Sequence, residues 1–247
     1  MSNIVKKDVF GPQTGLTLNK GKLKSPSSPF QARVNQARAE QPDASAMPHR
    51  LCLMLDRSSS MHGDKMDLLK QAIDNFVIRC DFQNTSIAIE TFPASLELSL
   101  TSVSFMITSS VASLTASGNT PMRSCVQGSL EKIPMTRGII VSDGEATDWR
   151  GDFYEDFEEA VEKNKQDDLL AKYKKASIPI DCVHIGNSSS GEELLRRIAR
   201  ETGGIYLKFT DVSEFANNFG FLTPGYRARL TEGRVDAATL GATEVRR

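Results

Sequence analysis

The sequence predicts an α/β protein built on a six-strand, mostly parallel sheet with helices on both faces, spanning residues 49–221. Two observations carry this expectation. Short apolar runs alternate with segments of helical apolar spacing along the middle of the chain. Apolar strands that alternate with helices mean a mostly parallel sheet covered on both faces. The composition changes at both ends, and in the first 48 residues Ser, Pro, Gln, Lys and Asn replace the apolar periodicity.

The elements follow in order. RLCLMLD at 50–56 is a buried strand, and 65–82 places Met66, Leu69, Ala72, Ile73, Phe76, Val77 and Cys80 at helical spacing. TSIAIETF at 85–92 and the short run 96–100 are strands; 104–114 and 122–133 are helices. GIIVS at 138–142 is a buried strand ending at Asp143-Gly144, and 156–176 is a long charged helix. IPIDCVHI at 178–185 is a strand with Pro179 near its start, where a missing N–H is tolerated. A helix over 192–202, a strand over 205–209 and a helix over 212–219 complete the core. Residues 1–48 read as a disordered basic tail, because KSPSSPF and QPDASAMP bury too little apolar area to offset chain entropy. Within it, Gln31–Glu40 is compatible with a short helix. Residues 222–247 read as a second, flexible tail.

Composition excludes several functions. The chain has 247 residues, 39% hydrophobic and 25% charged, with no apolar run of transmembrane length. MSNIVKKDVFGPQ lacks the apolar stretch of a secretory signal, so no export is expected. The formal net charge of −1 is unevenly spread. Seven basic residues face three acidic ones in 1–48, five face three in 222–247, and 18 face 25 between them. An acidic core is no natural nucleic-acid binder, since phosphate contacts need basic surface. Cys52, Cys80, Cys125 and Cys182 are scattered, and Cys52 and Cys182 sit inside apolar runs. They read as reduced thiols in a cytoplasmic protein.

Parallel α/β sheets place their sites beyond the carboxyl ends of the strands. Three loops there carry hard oxygen ligands: Asp56-Arg57-Ser58-Ser59-Ser60, then Ser117-Gly118-Asn119-Thr120-Pro121-Met122, then Asp143-Gly144-Glu145. Neighbouring strands lie about 4.8 Å apart, so Asp56 and Asp143 can converge on one ion. Two carboxylates and three hydroxyls suit Mg²⁺, which takes oxygen ligands and few carboxylates. Taken singly, Asp56 reads as a strand-end cap of the following helix, and the serines as an ordinary polar loop.

Taken together on this topology, the residues resemble the von Willebrand factor A (VWA) domain and its metal-ion-dependent adhesion site. Asp56, Ser58 and Ser60 match its D-x-S-x-S segment, Thr120 its threonine and Asp143 its second aspartate. The resemblance covers about 49–221 and implies a doubly wound, Rossmann-like sheet. It also implies a Mg²⁺ or Mn²⁺ ion held by Asp56, Ser58, Ser60, Thr120 and Asp143, with Asp143 often acting through water. The implied function is a non-enzymatic interaction module whose ion accepts an Asp or Glu of a partner protein, without nucleic acid or membrane. Single-domain intracellular proteins of this kind serve as adaptors of AAA+ ATPases or in stress-response complexes such as tellurite resistance.

Neighbouring residues carry less. His62 and Asp64 follow the first loop, and a lone loop histidine does not make a zinc site. Glu145 reads either as a contact to metal-bound water or as a surface acid, and Arg57 either as a partner contact or as plain surface. Arg150-Gly151-Asp152 reads as a coincidental tripeptide. Glu145–Asp168 holds ten acids and three bases, a solvated helix face or a docking surface for basic segments. The enzymatic alternative is a metal-dependent phosphohydrolase of haloacid dehalogenase-like topology. That chemistry needs a second carboxylic acid two residues past the first, where this chain has Ser58.

Overall fold

The computed structural model describes residues 46–144, 146–149, 168–225, 227, 242 and 244–246. The expected helix over 31–40, the Arg150–Asp152 tripeptide, Glu145 and the first part of the 156–176 helix lie outside them.

The strands are β1 (His49–Asp56), β2 (Thr85–Phe92), β3 (Glu97–Thr101), β4 (Arg137–Ser142), β5 (Ile180–Ile185), β6 (Tyr206–Phe209) and β7 (Glu244–Arg246). They form one sheet in the order β3-β2-β1-β4-β5-β6-β7. From β2 to β6 every pairing is parallel, while β3 and β7 close the two edges antiparallel. The helices are α1 (Asp64–Ile78), α2 (Ser104–Ala112), α3 (Met122–Lys132), α4 (Ser189–Thr202) and α5 (Val212–Asn218). Residues 168–175 are also helical. The expected α/β fold, mostly parallel with helices on both faces, is present, and the sheet carries one strand more than expected.

Alternation along β1 explains the layers. Leu51, Leu53 and Leu55 pack in one cluster with Leu69, Ile73 and Phe76 of α1, Ile107 of α2 and Phe215 of α5. Cys52 and Met54 join the other cluster, with Val126 of α3, Tyr173 and Leu195 of α4. Both faces are therefore dry, which is why the strand reads as a continuous apolar run.

The helix expected to reach residue 82 ends at Ile78. Asp81 takes hydrogen bonds from Gln83 N (3.0 Å) and Asn84 Nδ2 (2.7 Å). A side chain that offers the backbone this local alternative ends a helix and turns the chain into β2.

The flexible tail expected from residue 222 is corrected at the described residues. Leu222 and Thr223 are buried, Arg227 grips Asp181, and Glu244–Arg246 pairs with β6 as β7. Asp181, fully buried on β5, accepts both Arg227 Nε (2.9 Å) and Nη2 (3.0 Å). It also accepts Ile205 N at 2.9 Å and lies 3.5 Å from Arg137 Nε. A buried carboxylate needs such partners, and the C-terminal segment supplies one. Met47, just ahead of residue 49, is buried as well.

Candidate metal centre

The order of strands reverses at β1: β2 lies on one side and β4 on the other. A crevice opens at such a point beyond the carboxyl ends of the strands. Asp56 is the last residue of β1, and Asp143 follows the last residue of β4. In register, Leu55 faces Val141, which sets Asp56 beside Ser142.

Asp56 is fully buried, and both its oxygens are engaged: Oδ1 accepts Ser58 N at 2.8 Å and Oδ2 accepts Ser142 Oγ at 2.5 Å. Ser60 Oγ donates to Asp143 Oδ1 at 2.8 Å. Its one proton being spent there, Ser58 Oγ is the donor in the 2.9 Å contact between the two serines. A continuous chain of oxygens thus runs from the loop after β1 to the loop after β4. Burial pushes the Asp56 carboxyl up to about 6, against hydrogen bonds from Ser142 and Ser58, and the Asp143 charge adds to the rise. A carboxylate so penalised favours a cation beside it.

Thr120 is buried on the loop before α3. Its loop is held against both others. Ser59 N (3.0 Å) and Ser59 Oγ (3.1 Å) donate to Gly118 O, and Thr147 N donates to Thr120 O (2.9 Å). The structure thus links Asp56, Ser58, Ser60 and Asp143 and sets Thr120 on the adjoining loop. His62 and Asp64 are exposed and outside this chain of contacts.

The donor set fits a small hard cation. Cis oxygens about 2.0–2.1 Å from Mg²⁺ stand about 2.9 Å apart. The Ser58–Ser60 and Ser60–Asp143 oxygen separations, 2.9 and 2.8 Å, have that span. No group of three or more His, Cys, Asp and Glu side chains that could hold a metal ion is found among the described residues, so an ion at these loops would need the hydroxyls as ligands.

Several supporting residues carry no local sequence signal. Arg57, open between partner contact and surface in the sequence, donates from Nε to Thr115 O (2.8 Å) and from Nη2 to Ser117 Oγ (2.5 Å). It ties the first loop to the second. Asp148 accepts Arg123 N (2.9 Å), Ser124 N (2.8 Å) and Ser124 Oγ (2.7 Å). It caps α3 from outside, where Pro121 offers no side-chain cap. Lys65 reaches Asp143, a contact taken up below.

Gly144, at φ 114°, follows Asp143 and packs on Gly191 of α4. A Cβ on Gly191 meets the Gly144 backbone at 2.2 Å, so the loop has to move. Gly191→Ala is expected to lower divalent-ion affinity about tenfold or more by displacing Asp143. Titration calorimetry with Mg²⁺ measures this, and unchanged affinity would show that the close approach does not position the site.

No family model matches the chain, and no curated protein does. Its fold matches several solved structures. One is the conserved hypothetical protein BatB from Bacteroides thetaiotaomicron, 14% identical, covering 74% of this chain and 99% of that one at a TM-score of 0.52. Another is the SpRpn10 VWA domain, 14% identical, covering 68% and 94% at 0.51. A third is the vWF domain of the type V pili tip protein Mfa5 from Porphyromonas gingivalis, 10% identical, covering 77% and 97% at 0.54. At these identities the likeness is one of fold.

Proposed function

We propose that this VWA-type fold serves as a metal-dependent protein-interaction module. Mg²⁺ or Mn²⁺ is held by Asp56, Ser58, Ser60, Thr120 and Asp143, directly or through water, and an Asp or Glu of a partner protein completes the coordination. The observation that carries this reading is the chain of hydrogen bonds joining Asp56, Ser58, Ser60 and Asp143 at the strand-order reversal. The bound ion supplies a positive centre for a partner carboxylate. Asp56 and Asp143 supply its negative charge, and the three hydroxyls keep it electron-poor. Arg57 and Asp148 hold the Thr120 loop in place for that set.

The position two residues past Asp56 bears a hydroxyl, so the acid/base required by the phosphohydrolase alternative is missing there. The resemblance extends the reading to an adaptor for an AAA+ ATPase or a stress-response complex. We place the protein in the cytoplasm. All four thiols are free. Burial pushes Cys52 and Cys80 up to about 12 and Cys125 and Cys182 well above the usual thiol range, which keeps them inert. Among the described residues no helix is long and apolar enough to cross a membrane.

The test is partner capture by the full chain with and without chelator, and by Thr120→Ala. Both treatments are expected to abolish capture, and capture surviving both would overturn the reading. Ion binding also carries a pH signature. The ion competes with the proton on Asp56, so Mg²⁺ affinity is expected to be flat above about pH 6. It should fall about tenfold per unit below that, as calorimetry between pH 5 and 8 would measure.

A further inference from the structure

Lys65 stands in the first turn of α1, where the partial positive charge of the helix end disfavours a cation. Gly63 before it provides no side-chain cap. The ammonium is instead turned onto the oxygen chain. Nζ lies 2.6 Å from Asp143 Oδ2 and donates to Ser60 O at 3.1 Å. Asp143 is 8% exposed and the lysine side chain 34%, so the lysine approaches a nearly buried carboxylate from the solvent side. Asp143 therefore has one oxygen on Ser60 and the other on Lys65. Lys65 itself touches both loops that deliver Asp56 and Asp143.

We propose that Lys65 is a tethered cation that neutralises this site before ion entry and has to leave Asp143 when the divalent ion binds. This rests on the metal-centre reading above. An ammonium is a compact point charge on a flexible stem. It offers Asp143 what the ion offers, and a divalent ion at the same oxygens repels it. The side chain is already part-exposed, and its four-carbon stem lets the tip swing into solvent. Two consequences follow. The ion has to displace an existing pair, so the protein charges only at a higher ion concentration than its oxygen ligands alone would set. Ion binding also frees the first turn of α1 from Asp143, so the state of the site is transmitted to that helix end.

The experiment compares the wild type with Lys65→Met and Lys65→Arg as full-length chains, with Mg²⁺ alone as probe. Calorimetry gives affinity, and thermal unfolding is followed in chelator and in saturating Mg²⁺. Lys65→Met is expected to bind Mg²⁺ at least tenfold more tightly, to melt lower than wild type in chelator, and to gain more than wild type when Mg²⁺ is added. Lys65→Arg, which keeps the charge, is expected to stay near wild type. Equal or weaker binding in Lys65→Met, with wild type binding normally, overturns the tethered-cation role and leaves the metal centre standing. Failure of all three proteins to bind Mg²⁺ overturns the metal-centre reading and this inference with it.

Discussion

Asp56→Asn is expected to lower divalent-ion affinity by at least about a hundredfold, while the ion-free protein becomes more stable. Both effects come from one fact: Asp56 is fully buried and its carboxyl is pushed up to about 6. Between the ordinary carboxyl range and that value the native state holds a proton that the unfolded chain has released. The contribution of Asp56 to ion-free stability is therefore greatest in acid and falls as pH rises toward about 6. Above that the ionised carboxylate costs on the order of 3 kcal/mol. Asparagine removes the charge, keeps an oxygen for Ser58 N and turns toward Ser142 Oγ an NH₂ that this oxygen can accept, so most of the cost disappears together with the proposed ion ligand. Thermal unfolding in chelator at pH 7 and calorimetry with Mg²⁺ measure the two sides. Unchanged ion binding would remove Asp56 from the site. A large loss of ion-free stability would show that the carboxylate supports the fold rather than the ion.

Asp181→Ala should destabilise the protein by about 3–5 kcal/mol, the usual cost of stripping one partner from a buried ionic group. The carboxylate lies on β5 among Arg137, the two-pronged Arg227 and Ile205 N, and alanine leaves all three without it. Arg227→Ala is expected to cost clearly less, because Arg137 and Ile205 N still hold Asp181. Urea unfolding of both variants measures the difference. Equal, small losses would mean that the C-terminal segment is not anchored through this carboxylate. The site is at the opposite ends of the strands, so Mg²⁺ affinity is expected to be unchanged in both.

The sequence by itself determined the alternation of strands and helices. β1, β4 and β5 are built round short apolar runs, β2 reads as a strand, and the helical face of α1 is written in Met66, Leu69, Ala72, Ile73, Phe76 and Val77. It also determined the oxygen-rich residues at the ends of β1 and β4, since a residue type beside a strand end is a local fact. Only the tertiary structure decided which strands are neighbours, and therefore that Asp56 meets Ser142 and Ser60 meets Asp143. The same holds for Arg57 reaching the second loop, Asp148 capping α3, Gly191 meeting Gly144 and Lys65 turning onto Asp143. Residues 222–247 are the plainest case. Polar and rich in turn formers, they look like a tail, yet Arg227 docks on a carboxylate of β5 and Glu244–Arg246 completes the sheet beside β6. Periodicity reports what a segment presents to its surroundings. A hydrogen bond or an ion pair between distant segments depends on how the crossovers bring them together, and no local pattern of residues encodes that meeting.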